Sequence, residues 1–355
     1  MKERLPFIDW MKCLGMLIIV YGHTAGAGLI EFTAPFNPKQ LGVAFFVFVM
    51  GFSLARETRP TPRTIYNRYF EMTLFGWLAA ILVSLSMWIT SGDLAESNYA
   101  PLVLGANVLL DYFPANPTTW FIGTYLHLLL FWAITRRFNV PLWVLPATFL
   151  VEIAVRTLLL EYVANYTAYM LVTNWIGAFL LGTYIGQRPL APTSTRKAVL
   201  ATGALAVIAI AWPLLTTGLD AEDSFPFRRL AGPLVWTSAA ISLLYWVYTL
   251  ALFHATRSLP DLGVVRLIAR NTVIVFIVHM PLVYWLTPIM YVWLPAGWPR
   301  TVANLVVFFL LLSFAAEGLR KLVMPDRLRD VLAARLETAL PRFFRATDRA
   351  PEKTQ

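Results

Sequence analysis

One cysteine, Cys13, and four histidines, His23, His127, His254 and His279, are all that 355 residues supply of those types. A lone thiol excludes an intrachain disulfide and a thiolate-held metal cluster. No HxxxH or HExxH spacing occurs, so no metal ligand set is expected. Charge is scarce too. Asp, Glu, Lys and Arg make up 14% of the chain, against about 25% in a soluble domain.

Apolar surface is what the chain has in excess. Hydrophobic residues reach 58% and the mean hydropathy is +0.62, which points to an integral membrane protein. Thirteen Trp and fourteen Tyr suit belts at two membrane interfaces. In that setting the net charge of +9 reports topology and not nucleic-acid binding. Lys2 and Arg4 precede an apolar run too long and too studded with polar groups for a cleavable signal.

The apolar runs predict an all-α polytopic fold of about ten spans. These are 8–29, 40–55, 70–90, 119–135, 140–163, 168–187, 197–217, 231–254, 264–290 and 301–323. An apolar segment at 100–113 reads as a short re-entrant or surface helix. Basic residues follow the even-numbered runs: Arg56, Arg59, Arg63 and Arg68; Arg136 and Arg137; Arg188, Arg196 and Lys197; Arg257, Arg266 and Arg270; Arg320, Lys321, Arg327 and Arg329. Acids dominate the other loops, at Glu31, Asp93, Glu96, Glu161, Asp220, Glu222 and Asp223. The positive-inside rule then puts both termini in the cytoplasm. Residues 1–325 form the membrane domain. Residues 326–355 read as a cytoplasmic amphipathic helix lying on the membrane, followed by a disordered polar end.

Ionisable groups inside spans are costly and usually face the bundle interior. The opening stretch, IDWMKCLGMLIIVYGHTAGA, carries three: Asp9, Lys12 and His23. Eleven residues separate Lys12 from His23, which returns both to nearly one helix face, about 16 Å apart. Asp9 is spaced to pair with Lys12. Two readings stand for each: an interfacial anchor or a site for Asp9 and Lys12, a core histidine or a catalytic one for His23. The loop RETRPTPRTIYNR at 56–68 is either a topology signal or a phosphate clamp, since arginine forks match phosphate oxygens. Glu152 and Arg156, at i and i+4, either neutralise each other or leave Glu152 to orient a histidine or a hydroxyl. His279 precedes Pro281 and is either a core histidine or a second site group.

Here the residues reach a resemblance. IDWMKCLGMLIIVYGHT is similar to the opening helix of the acyltransferase-3 superfamily, with that family's basic residue and histidine at Lys12 and His23. FFVFVMGFSLA resembles its second span, and Arg63 and Arg68 fall where it has an arginine pair, though their spacing departs from R-x-x-R. TTWFIGTYL places Trp120, NTVIVFIVHMPL places Asn271 and His279, and SFAAEG resembles its last span. The resemblance covers about residues 4–322.

The resemblance implies an acyltransferase of a bacterial inner membrane. The donor would be cytoplasmic acyl-CoA, acetyl first and succinyl second, and the acceptor a hydroxyl of a glycan or lipid-linked glycan on the outer side. Beyond that donor, that acceptor and membrane lipids it implies no partner, no metal and no nucleic acid. His23 is the expected general base, with Lys12, Glu152 and His279 as further catalytic candidates. Lys12, Arg59, Arg63 and Arg68 are expected to bind the donor, and Asp9, Trp120 and Asn271 the substrates. The rival class is a glycan or lipid transporter or flippase that relays protons through Lys12, Glu152 and His23.

Overall fold

A helix that is apolar all round is either a membrane span or an element wrapped by others, and this chain contains both kinds. In a computed structural model the described residues are 4–27, 29, 39–94, 96–217 and 232–341, and they form helices joined by turns. The first three are α1 (Pro6–Gly26), α2 (Lys39–Ala55) and α3 (Thr61–Ser91). A 3-10 turn at Glu96–Leu102 leads to a short α4 (Ala106–Leu109), followed by α5 (Trp120–Thr135) and α6 (Val144–Tyr162). Then come α7 (Asn165–Met170), α8 (Ile176–Gly186), α9 (Thr195–Thr217), α10 (Leu234–Thr256) and α11 (Gly263–Trp293). The chain closes with α12 (Trp298–Asn304), a π-helical stretch Leu305–Leu311, α13 (Leu312–Val323) and α14 (Pro325–Ala339).

Proline and glycine punctuate this order. Pro6 opens α1 and Pro62 lies in the first turn of α3, where the missing N–H has no partner to lose. Gly92 ends α3 in the left-handed region, φ 77°, and its N–H donates to Trp88 O at 2.9 Å. Met324 takes a left-handed φ of 47° before Pro325, so the chain turns sharply between α13 and α14.

The expectation of about ten spans is corrected. Among the described residues five stretches are long and apolar enough to cross a membrane: Thr61–Ser91, Pro117–Thr135, Leu234–Thr256, Gly263–Trp293 and Trp298–Ala339. The protein is therefore polytopic, with half the expected number of spans among the described residues. Two of the surplus runs are short. α2 has 17 residues and α8 has 11, and eleven residues reach about 16 Å, half of a hydrocarbon core. Both are apolar because other helices surround them. α1 and α6 are longer, but α1 carries Asp9, Lys12 and His23, and α6 carries Glu152, Arg156 and Glu161, more polar groups than a simple span bears. The alternation of basic and acidic loops loses its basis with the count, and so does the placing of both termini in the cytoplasm. The segment expected at 100–113 is the 3-10 turn and α4. Glu31, Asp220, Glu222, Asp223 and the last residues of the tail lie outside the described residues.

Small residues let the central helices touch. A Cβ on Gly182 of α8 would collide with the carbonyl oxygen of Phe48 in α2, and one on Gly51 with that of Phe179 in α8. Gly42 of α2 meets the Gly15 carbonyl of α1 in the same way. Backbone proximity of this kind is how helices gain dispersion energy where lipid removes the hydrophobic drive. It fixes α1 against α2 and α2 against α8.

A buried polar cluster fixes α6 against α8 and α10. Glu152 and Arg156 are each 1% exposed. Glu152 accepts from the Gly177 N–H (2.8 Å), the Ser242 hydroxyl (3.2 Å) and the Trp246 indole (3.3 Å). Arg156 donates to Asn174 Oδ1 (2.7 Å), Ser238 O (2.7 Å) and Ser242 Oγ (2.8 Å). The Ser242 hydroxyl thus bridges the two charges. Removing one partner from such a cluster leaves the other buried and uncompensated, at about 3–5 kcal/mol.

Two outcomes follow for stability in detergent. Gly182→Val should cost about 1–3 kcal/mol through overpacking, read as a lower melting temperature, and an unchanged melt would show that the helices do not touch there. Glu152→Ala should cost more, about 3–5 kcal/mol, with Glu152→Gln recovering part of it. Equal melts for the two Glu152 variants would argue against the cluster.

Candidate active site

Charged groups that the sequence scatters over 318 positions, from Lys12 to Arg329, come together at one end of the bundle. There α1, α2, α3, α5, α11, α13 and α14 surround a cavity of about 570 Å³, within the usual range for a small-molecule site. Its polar wall carries Lys12, Arg59, Arg68, Arg270, Arg320 and Arg329, with Glu71, Asp326, Asn67, Thr272 and Tyr125. Its apolar wall carries Phe46, Val49, Met50, Met72, Phe121, Ala269, Val273 and Phe276. Six cations and two carboxylates line the cavity, and Glu57, Glu317 and Asp330 pair with three of those cations, so a small positive excess is left that favours an anion.

The cations differ in what they already hold. Arg59 makes a fork with Glu57, Nε to Oε1 at 2.9 Å and Nη2 to Oε2 at 2.6 Å. That carboxylate raises the guanidinium's already high pKa, so Arg59 stays charged. Arg320 is the hub of a wider web. It pairs with Glu71 of α3 and donates to Asn271 Oδ1 (2.9 Å) and Arg270 O (2.8 Å) of α11. Asn271 in turn donates to Glu317 Oε2 at 2.9 Å, and Glu317 pairs with Arg270. Arg329 is taken up by Asp326 (2.8 Å) and Asp330 (3.0 Å). Two cations are tied least: Lys12 makes no ion pair or hydrogen bond among the described residues, and Arg68 meets only the Glu57 carboxylate, at 3.7 Å, with its Nε buried without a partner.

The sequence-predicted residues divide. Lys12, Arg59 and Arg68 line the cavity. Arg63 lies off it and ties α14 to α3 through Glu337 (2.8 Å) and Asp330 (3.9 Å). The same contact lays α14 along α3, with the Tyr66 hydroxyl donating to Arg329 O at 2.9 Å. Asp9 pairs with Arg4 and not with Lys12, which turns into the cavity. Asn271 stands behind the wall, holding Arg320 and Glu317. Trp120 packs against Tyr169 (4.7 Å between ring centroids) and Trp175 (6.0 Å), away from the cavity. Glu152 has its own cluster on α8 and α10, whose residues do not line the cavity.

His23 and His279 come together, 256 positions apart in sequence, with ring centroids 5.2 Å apart. Neither lines the cavity. One aromatic ring touches both: Phe276 lines the cavity and its ring lies 6.2 Å from that of His279. His279 is fully buried, with Nδ1 3.0 Å from the Val275 carbonyl. A carbonyl only accepts, so Nδ1 carries the proton and Nε2 the lone pair. That Nε2 is buried and without a partner.

Glu71, Arg270, Arg320 and Arg329 were not expected at the site. Glu71 had a legible signal, a carboxylate in the first turns of an apolar run. The arginines were absorbed into the loop-charge pattern, where single residues are not told apart. Among the described residues no group of three or more His, Cys, Asp or Glu could hold a metal ion.

A family model described as an acyltransferase domain, that of acyltransferase 3, matches residues 5–317. No curated protein and no solved structure matches the chain. The matched span includes both histidines, Lys12, Arg59, Arg68, Glu71 and the three aromatic rings at the cavity's apolar end, and stops short of Arg320 and α14. With most of its length accounted for in this way, the chain belongs to the acyltransferase-3 family.

Proposed function

We propose that this protein takes an acyl group from acyl-CoA and passes it to a hydroxyl of a glycan or glycolipid across the membrane, with acetyl the first expectation for the group carried. The observation that supports this reading most is the pairing of a cation-lined cavity with a histidine pair just beyond its apolar end. Coenzyme A carries phosphates, which seek guanidinium and ammonium donors, and ends in an uncharged arm suited to an apolar channel. In this reading the arginine-rich mouth is the side that opens to the cytosol, because that is where acyl-CoA is found.

Lys12 and Arg68 take the phosphates, since they are the least tied of the cavity's cations. Lys12 cannot also act at the reacting carbonyl if His23 does, because eleven residues of helix separate them by about 16 Å. His23 is the general base. A sugar hydroxyl is a weak nucleophile at neutral pH, and an imidazole removes its proton as the oxygen bonds to the thioester carbon. The C–S bond then breaks, and the departing thiolate takes up a proton. His279, with its lone pair fixed on Nε2, orients the acceptor hydroxyl. Arg59 and Arg320, already paired, shape the wall that the donor meets.

The two ends should separate kinetically. His23→Ala should fold and bind coenzyme A but lose transfer by about two to four orders of magnitude, the usual worth of a positioned acid–base group; a turnover close to normal would remove His23 from the mechanism. Lys12→Met should raise KM for acyl-CoA about tenfold, the loss of one charge-assisted contact, with kcat within a few-fold. An unchanged KM, or an effect confined to kcat, would move Lys12 away from the phosphates.

A further inference from the structure

The cavity and the histidines do not meet, and the residues between them carry a consequence. Along α11 one stripe faces the cavity: Ala269, Thr272, Val273 and Phe276, at helical spacing. The first three are small or medium-sized. Phe276 is the first large side chain on the stripe, and His279 follows it by three residues on the same side of the helix. The ring of Phe276 is held from two other helices, edge to face with Phe121 of α5 (5.6 Å, 64°) and with Phe46 of α2 (6.5 Å, 70°). All three rings line the cavity's apolar end. Phe276 is 6% exposed and His279 is fully buried behind it.

We propose that Phe276, braced by Phe46 and Phe121, is a gate between the donor cavity and the histidine pair, restricting the donor to short acyl groups and keeping water from the thioester. This rests on the acyltransferase reading above. A two-carbon group passes one displaced ring, whereas a long chain needs the space that all three rings fill. The gate also protects the donor. Water reaching the histidines in place of the acceptor would bond through oxygen to the thioester carbon. The C–S bond would break, giving a free carboxylic acid and free coenzyme A thiol. A ring that moves only as the acyl end presses past it keeps that side reaction slow.

The test uses membranes of the producing cells, which carry the acceptor, with acetyl-, butyryl- and octanoyl-CoA labelled in the acyl group. Label in the glycan fraction and free thiol are both counted. The wild-type protein should transfer acetyl in preference to octanoyl by at least tenfold, with one thiol released per label. Phe276→Ala should reduce that preference at least fivefold and release thiol in several-fold excess over label. Phe276→Leu, which keeps an apolar side chain and guards against a folding defect, should shift both readouts in the same direction by less. Wild-type selectivity and one-to-one stoichiometry in a folded Phe276→Leu and Phe276→Ala would overturn the gate alone. No labelling or thiol release by the wild-type protein would overturn the functional reading and the gate with it.

Discussion

A guanidinium placed among apolar helices has to be surrounded by acceptors, and Arg320 shows how this chain meets that demand. Its partners are Glu71 on α3 and both the Asn271 side chain and the Arg270 carbonyl on α11. Three helices are therefore tied at one point, and the same tie sets the wall of the cavity. Each charge-assisted bond is worth roughly 1.5–3 kcal/mol, and losing one partner costs more because the others stay buried. Stability and site geometry are thus the same set of contacts. The cations satisfied in this way, Arg320, Arg59 and Arg329, build the wall. Lys12 and Arg68 are the least tied of the cavity's cations, and the proposed reading gives them the donor's phosphates.

The opposite end of the arrangement follows a different rule. His23 and His279 are held by packing and one carbonyl bond, and face no carboxylate among their described contacts. A neutral imidazole with a free lone pair suits proton removal better than one locked in an ion pair. Carboxylates gather at the mouth, whereas the charge that reaches the histidine pair is that of Lys39 on α2. The helix α1 connects the two, with Lys12 in the cavity and His23 at the pair.

Parts of this were legible before any coordinates. The spacing of Lys12 and His23 follows from helical geometry alone, and the all-α membrane class follows from composition. The pairing of His23 with His279 was not legible, because nothing local links residues 256 positions apart. The span count failed for a physical reason: α2 and α8 are apolar on all sides because neighbouring helices bury them, and burial by protein reads like burial by lipid. Glu152 looked like an intramembrane site group, yet it is satisfied by Gly177, Ser242 and Trp246 within a cluster of its own. Charge inside an apolar helix marks a place where polar partners gather, and only packing tells a structural cluster from a cavity.

The most direct test of the central claim is an experimental structure of the protein with coenzyme A bound. The account expects the phosphates within hydrogen-bond reach of Lys12 and Arg68 and the thiol end pointing at Phe276, toward His23 and His279. Coenzyme A seated outside this cavity, or with its thiol directed away from the histidine pair, would contradict it.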